Sequence, residues 1–319
     1  MDRNDIPVRI GRIFQTASLL VRFLDYPFRL PYLFRDKTSI PAIFILAPPR
    51  SGSTLLYQLL TEGFYNVHLT NVWNLFYTMP LLGSLLSDRL CSNHRTRFES
   101  VRGFVPGFCG EAEGMKFWSY WMGQGLQPSD SRLKGKKLRK LRCLLSKRYA
   151  SEEKVWISCY IGHVFSIDFL RSHWPNAVFI HLYRDMISNA HSIYKLFPHK
   201  WFSLDPGGIQ NVAENRYEEI ARQITRIHSI VLDYYGKDIF SVSYKQLCES
   251  PRQIIEEITE FAVKNNITLR QKNTVPEAFE RNKVNTGYNG HTKMLYRYLK
   301  NETSRYKGHK RLFFDRLIV

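Results

Sequence analysis

The stretch AIFILAPPRSGSTLLYQLL, residues 42–60, decides the fold class of this chain. Its first five residues are apolar and show no polar alternation, so they predict a strand that is covered on both faces. A turn with two prolines and a glycine follows, and then a helical pattern begins. A buried strand that leads through a tight turn into a helix is the first half of a parallel α/β unit.

Three more apolar runs of strand type follow the run at 42–47, at residues 155–159, 177–183 and 239–244. A helical pattern comes after each of them. This alternation predicts an α/β fold of three layers, in which a central parallel β-sheet is flanked by helices. Ligands of such sheets bind beyond the carboxyl ends of the strands, so residues that directly follow the runs are the candidates for a site.

The length and composition predict one folded domain over residues 1–319. The chain is 44% hydrophobic and 14% aromatic, which excludes a disordered protein. We expect three parts: an N-terminal helical extension at 1–40, an α/β core with insertions at 41–262, and a basic closing tail at 263–319.

The five cysteines show no CxxC pair, and their number is odd. They predict neither a disulfide framework nor a zinc site, which is typical of a cytoplasmic protein. The sequence contains no run of 18 apolar residues, so we expect no helix that spans a membrane. The N-terminus suits either a packed helix or an amphipathic helix on the inner membrane surface.

The net charge of +18 favours anionic partners. Residues 132–148 hold nine basic residues and no acidic one. This run is either a solvated helix face or a platform for a membrane surface or an acidic acceptor. Aromatic residues are not interleaved in the run, so we expect no specific nucleic acid partner.

The turn after the first strand has the features of a phosphate site. Gly52 permits close approach of the backbone, and residues Ser51, Ser53, Thr54 and Leu55 open a helix whose free N–H groups attract anions. Arg50 adds charge-assisted donors. Gly52 is not followed by lysine, so this is not the loop of nucleoside triphosphatases. The alternative is an ordinary strand-to-helix connection.

A second candidate anchor follows the run at 177–183. Arg184 stands at the strand end, and Ser192 lies on the face of the following helix that Asp185 begins. Taken alone, this is a surface arginine with ordinary helix serines. Beside a phosphate loop on a neighbouring strand, Arg184 and Ser192 suit the second phosphate of a nucleotide with separate 5′ and 3′ charges.

These two motifs together resemble the nucleotide signature of sulfotransferases that use 3′-phosphoadenosine 5′-phosphosulfate (PAPS). The resemblance covers about residues 40 to 262, and includes HWPNAVFIHLYRD at 173–185 and SVSYKQLCESP at 241–251. It implies a P-loop NTPase-like sulfotransferase architecture. It places residues 50–55 at the 5′-phosphosulfate, and Arg184 and Ser192 at the 3′-phosphate.

The resemblance also implies the chemistry, which is in-line sulfuryl transfer from PAPS to a hydroxyl or amine without a metal. Arg50 would stabilise charge on the leaving phosphate. GEAEGMKFW, residues 110–118, resembles a bacterial stretch in which Glu113 is the general base. Its neighbour Glu111 would raise the proton affinity of Glu113. The alternatives are an exposed acidic pair at a helix start, or His68 as the base.

Two departures from the family pattern concern cations. Cytosolic relatives have lysine where this chain has Arg50, and bacterial relatives often have lysine where this chain has Cys159. The cation that this lysine supplies in relatives is therefore either absent from the site or supplied by another residue. Tyr244 either flanks the adenine or belongs to the core. The tail offers candidate closing residues, namely Lys283, Lys293 and Arg297.

The acceptor is a saccharide, a glycolipid or a soluble small molecule, since the segments between the motifs match no pattern. A small-molecule kinase with the same type of sheet is a second hypothesis, which the missing lysine after Gly52 disfavours. A non-enzymatic basic protein that binds membranes or other anions is a third.

Overall fold

The structure is a computed structural model, and it describes residues 22–32, 39–123, 132–149, 152–196, 215–236, 238–280 and 290–318. In that part of the chain, no helix is both long and apolar enough to span a bilayer. Residues 1–21, which carry the expected N-terminal helix, lie outside it. The segment that follows them forms two short 3-10 helices, Arg22–Asp25 and Pro27–Tyr32.

The central sheet has five parallel strands in the order β2-β3-β1-β4-β5. Their bounds are β1 Ala42–Leu46, β2 Asn66–His68, β3 Val155–Cys159, β4 Ala177–Tyr183 and β5 Ile239–Ser243. The α/β fold class is confirmed. The sequence predicted four of the strands and missed β2, because this edge strand is only three residues long and two of them are polar.

Helices connect the strands and cover both faces of the sheet. Their bounds are α1 Ser53–Gly63, α2 Asn71–Leu75, α3 Pro80–Cys91, α4 Met115–Met122, α5 Arg132–Tyr149, α6 Ile167–His173, α7 Met186–Leu196, α8 Arg216–Asp233, α9 Tyr244–Glu249, α10 Pro251–Lys264, α11 Gly290–Ser304 and α12 Gly308–Leu317. A further 3-10 helix, Ile161–Ser166, precedes α6.

The two faces of β1 enter two different cores, as the unbroken apolar run predicted. Phe44 packs with Trp118, Trp156 and Trp174 on one face. Ile43 and Ile45 pack on the other face with apolar residues of α1 and α10. The sheet with a helical layer on each side therefore forms three layers around two cores.

The register of the sheet sets the place of the candidate site. β1 lies between β3 and β4, and Leu46 at the end of β1 pairs with His181 near the end of β4. The chain that leaves β1 toward Arg50 and the chain that leaves β4 toward Arg184 therefore start side by side. Carboxyl ends of adjacent parallel strands are where ligands of such sheets bind.

The C-terminal helices lie away from this edge. Helix α11 packs on α7 and α8. It carries Lys293 and Arg297, and neither of these residues lines the main cavity. The third closing candidate, Lys283, lies outside the described residues. The tail reaches the cavity earlier, through Phe279 and Glu280.

The expectation of unpaired cysteines is wrong for one pair. Cys91 at the end of α3 and Cys109 form a disulfide, with their Cα atoms 5.4 Å apart. Cys143, Cys159 and Cys248 take part in no disulfide. The spacing of 18 residues between Cys91 and Cys109 matches no motif, so only the fold brings them together. The disulfide removes the reason for which the sequence predicted a cytoplasmic location.

Candidate functional site

The turn after β1 adopts an unusual backbone conformation. Arg50 has φ 63° and Gly52 has φ 101°, both in the left-handed region. A Cβ atom at Gly52 would lie 2.3 Å from the ring of Tyr244, so the ring fills the space that a side chain would need. Gly52 is therefore required for two reasons, its φ angle and the close approach of Tyr244.

Residues of β4 and α7 hold this turn in place. The Asn189 side-chain amide donates to the carbonyl oxygen of Pro49 at 2.8 Å, and Arg184 donates to the carbonyl oxygen of Arg50 at 3.4 Å. The Ser51 hydroxyl donates to the carbonyl oxygen of Pro48 at 2.8 Å. The turn that follows β1 thus depends on the helix that follows β4.

The two predicted anchors meet. The Nε of Arg50 lies 3.4 Å from the Oγ of Ser192, and the guanidinium of Arg184 stacks 4.5 Å from the centre of the Tyr244 ring. Burial lowers the pKa of Arg50, and the charge of Arg184 lowers it further. Two neighbouring guanidiniums that disfavour each other gain stability when an anion binds between them.

Helix α7 begins where the sequence predicted. The Asp185 carboxylate accepts a hydrogen bond from the backbone N–H of Ser188 at 2.6 Å, which caps the first turn. One helical turn after Asn189, Ser192 then points back toward the turn at Arg50. Asn189 and Ser192 share the helix face that the spacing from Asp185 predicted.

A cavity of about 850 Å³ opens at this edge of the sheet. Among the predicted residues, its wall includes Arg50, Gly52, Ser53, Thr54, Leu55, Glu113, Cys159, Arg184 and Tyr244. Ser51 is fully buried within the turn. Ser192 contacts the site through its hydrogen bond with Arg50. Glu111, Ala112, Gly114 and Met115, from the stretch around Glu113, also line it. Segments without a recognisable motif add Asn71, Asn74, six residues within 98–104, and Ile161, Leu196, Phe279 and Glu280.

Glu113 lies on the cavity wall with a perturbed acidity. The residue is exposed toward the cavity, and the protein around the cavity partly shields its carboxyl group from water. Burial raises the pKa of Glu113 to about 7, and the positive charge of Arg50 opposes this rise. A carboxylate with a pKa near neutrality suits proton abstraction at neutral pH.

The cause of this shift differs from the one that the sequence predicted. Glu111 does not contribute to it. The Glu111 carboxylate is buried and accepts hydrogen bonds from the hydroxyls of Thr96 and Thr61 and from the amide of Gln58. Glu111 therefore holds the chain in place, and the pocket alone raises the pKa of Glu113.

His68 lies elsewhere. It lines a second cavity of about 420 Å³, and its Nδ1 is 2.6 Å from the side-chain oxygen of Asn66. Burial lowers the pKa of His68 to about 4. His68, the alternative base, therefore lines a different cavity from Arg50 and Glu113.

Cys159 lines the main cavity where relatives carry a lysine. Its Sγ lies 3.9 Å from the carbonyl oxygen of Ser53, and burial raises the pKa of the thiol. Strand β3 itself provides no cationic side chain in place of that lysine. Arg102, from the segment between the two disulfide cysteines, brings another guanidinium to the cavity wall.

The segment 92–108, here called the cavity loop, is the part of the site that the sequence did not reveal. Its backbone carbonyls accept hydrogen bonds from Thr54 and Gln58, through Gly103 at 3.2 Å and Glu99 at 3.2 Å. The Asn71 amide donates to two more, those of Val105 and Gly107, each at 2.7 Å. The disulfide joins the two ends of the cavity loop. No signal in the sequence could have revealed it, because the spacing of the two cysteines matches no motif.

Among the described residues, no group of three or more His, Cys, Asp or Glu side chains could hold a metal ion. The metal-free reaction stays a prediction. The cavity brings together guanidiniums from adjacent strand ends and the amino end of α1, which are groups that attract anions.

The comparisons with known proteins bear on the family of the chain. The model of the sulfotransferase family matches residues 41–263. No curated protein matches the chain. Similar solved structures are the sulfotransferases STF9 from Mycobacterium avium, with 15% identity over 91% of this chain and 73% of that chain and a TM-score of 0.49, and STF1 from Mycobacterium tuberculosis H37Rv, with 16% over 81% and 78% and a TM-score of 0.48. At these values, neither structure informs on the substrate.

Proposed function

Since the chain belongs to the sulfotransferase family, we propose that it transfers a sulfuryl group from PAPS to a hydroxyl or amine of an acceptor. The observation that carries this proposal is the meeting of Arg50 and Arg184 at one cavity, from the ends of adjacent parallel strands. The donor carries charge at both its 5′ and 3′ positions, so cationic groups from two strand ends suit it.

In this proposal the donor lies along the edge of the sheet. The backbone from Ser51 to Leu55, the Ser53 hydroxyl and Arg50 bind the 5′-phosphosulfate at the amino end of α1. Arg184 and Ser192 bind the 3′-phosphate. Tyr244, which packs against both Gly52 and Arg184, flanks the adenine.

The chemistry follows from Arg50 and Glu113. As the bond between sulfur and the bridging oxygen breaks, negative charge grows on the leaving phosphate, and Arg50 stabilises it. Glu113 accepts the proton of the attacking hydroxyl or amine. The two residues are close enough for each charge to affect the pKa of the other group, so both belong to one reaction centre.

The side chains that line the cavity beyond Glu113 support a glycolipid as the acceptor rather than a saccharide without a lipid part. Phe104 and Met115 line the cavity and are 58% and 56% exposed, which suits an apolar chain. Glu99 and Glu280 line the same cavity and offer carboxylates to sugar hydroxyls. An acceptor with an apolar part and a hydroxyl-rich part matches both kinds of wall.

The proposal is tested with PAPS labelled in its sulfuryl group, added with purified protein to lipid and aqueous extracts of cells. We expect label in the lipid fraction, and none when the Glu113→Gln variant replaces the protein. Label transferred from γ-labelled ATP with magnesium, and none from PAPS, would support the kinase hypothesis instead and contradict this one.

A further inference from the structure

Four exposed apolar side chains cluster at the two short 3-10 helices near the N-terminus. Phe23, Leu24, Tyr26 and Leu30 are 61%, 44%, 60% and 63% exposed, and they fall within eight consecutive residues. Single exposed apolar residues are ordinary on protein surfaces, but a cluster of this kind marks an interaction site. Neither the donor site nor the acceptor wall uses any of these residues.

The cluster is held outward by a buried anchor. Asp25 is completely buried, and its carboxylate accepts hydrogen bonds from the backbone N–H groups of Leu81 and Leu82, each at 3.0 Å. It also forms an ion pair with Arg29 at 3.0 Å. Asp25 thus caps the amino end of α3 and fixes the first 3-10 helix to the body of the protein.

A basic face adjoins the cluster. Helix α5 buries Leu138, Leu141 and Leu145, and it exposes Lys136, Arg139 and Lys140 on its other side. The second 3-10 helix packs against α5. The Nζ of Lys140 lies 5.9 Å from the centre of the Tyr26 ring, and the guanidinium of Arg29 lies 4.4 Å from it. Tyr26 therefore joins the apolar cluster to the basic face.

We propose that this surface, formed by residues 23–30 and the exposed side of α5, binds an anionic lipid bilayer. Aromatic and aliphatic side chains enter the headgroup region, while adjacent lysines and arginines attract anionic lipids. Helix α5 contains no acidic residue that would repel such lipids. Nucleic acid is a poorer match, because Leu24 and Leu30 offer no flat ring on which a base stacks.

The surface adds a location to the proposed reaction without depending on it. A peripheral enzyme on a bilayer meets lipid-borne acceptors at high local concentration. Residues 23–30, Lys136 and Lys140 do not line the cavity that holds Arg50 and Arg184, so lipid binding and donor binding are separable in experiment.

The test is cosedimentation of the full chain with vesicles of phosphatidylcholine, with and without phosphatidylserine. We expect binding to the anionic vesicles and little to the neutral ones. The double variant Phe23→Ser/Leu30→Ser should weaken binding by about tenfold or more. The matched control is Val263→Ser/Leu312→Ser, which removes two equally exposed apolar side chains elsewhere and should change nothing.

The charge component is tested with Lys136→Gln/Lys140→Gln, which should also weaken binding by about tenfold or more. Its control, Lys264→Gln/Lys307→Gln, removes the same charge from exposed sites outside the surface. The far-ultraviolet circular dichroism spectrum and the thermal unfolding midpoint verify that each variant is folded. Equal binding to both kinds of vesicle, equal loss in variants and controls, or tighter binding to single-stranded DNA than to the vesicles would overturn the proposal.

Discussion

At the scale of the residue, the chemistry of the site follows from what surrounds each side chain. Arg50 and Arg184 were predicted from their places after two strands, and the structure brings them to one cavity. The sequence could not show why the pKa of Glu113 is raised, because the burial that raises it depends on side chains from distant parts of the chain. Sequence spacing suggested Glu111 as the perturbing group, but hydrogen bonds hold Glu111 in a different role.

Glu113→Gln should abolish turnover while leaving affinity for the donor product nearly unchanged, because glutamine keeps the shape but accepts no proton. The base form of Glu113 is the carboxylate, which predominates above its pKa of about 7. The rate of the unmodified protein should therefore fall as pH drops through about 7. Steady-state rates over pH 5 to 9, roughly the range around that pKa, provide the measurement.

The control for this variant is Glu280→Gln, which removes another carboxylate from the same cavity wall. It should retain the acid limb of the pH profile even where it changes the affinity for the acceptor. Turnover that persists in Glu113→Gln would show that the base is wrongly assigned, although the family would stand.

Gly52→Ala should eliminate donor binding. The added Cβ would lie 2.3 Å from the Tyr244 ring, and alanine is strained at φ 101°. Gly107→Ala separates the two effects, because Gly107 has φ 89° but nothing within 4 Å of its Cβ position. Calorimetric titration with the donor product measures both variants. Equal losses in the two would mean that backbone strain alone matters, and that Tyr244 does not shape the site.

At the scale of the element, strands and their connections were predictable where the pattern is long and apolar. The edge strand β2 and the cavity loop were not, since three residues carry too little pattern and the loop has no periodicity. The loop is fixed by tertiary contacts, namely its hydrogen bonds to Thr54, Gln58 and Asn71 and the disulfide at its base. The part of the cavity wall that the loop contributes, six residues within 98–104, was therefore hidden from the sequence.

Removal of the disulfide with Cys91→Ser/Cys109→Ser should lower the free energy of unfolding by about 3 kcal/mol, as expected for a closed loop of this length. Cys143→Ser, at a free and half-buried cysteine, should cost less than about 1 kcal/mol. Urea unfolding curves of the three proteins provide the comparison. A double variant as stable as the parent would mean that the two cysteines are not joined in solution.

At the scale of the whole molecule, the charge and the cysteines bear on where the protein works. The excess of basic residues was visible in the composition, but its concentration beside an exposed apolar cluster required the fold. The cytoplasmic location rested on cysteines that appeared unpaired, and the fold joins two of them. That location stays a prediction.

Labelling of thiols in protein taken from its native cells and denatured without reductant tests the location. Three labelled cysteines per chain, namely Cys143, Cys159 and Cys248, are expected where the disulfide is intact. Such a result would favour an oxidising compartment. Labelling of all five would support the cytoplasm and show that the Cys91–Cys109 pair is reduced there.

The central claim is that two cationic anchors at neighbouring strand ends bind a nucleotide at both its 5′ and 3′ phosphates. Calorimetry that compares 3′-phosphoadenosine 5′-phosphate with adenosine 5′-monophosphate tests it most directly. We predict much tighter binding of the first, and a loss of about 1.5 to 3 kcal/mol for this ligand alone in Ser192→Ala. Ser188→Ala on the same helix is the control. Equal affinity for the two nucleotides, or no binding of either, would contradict the account.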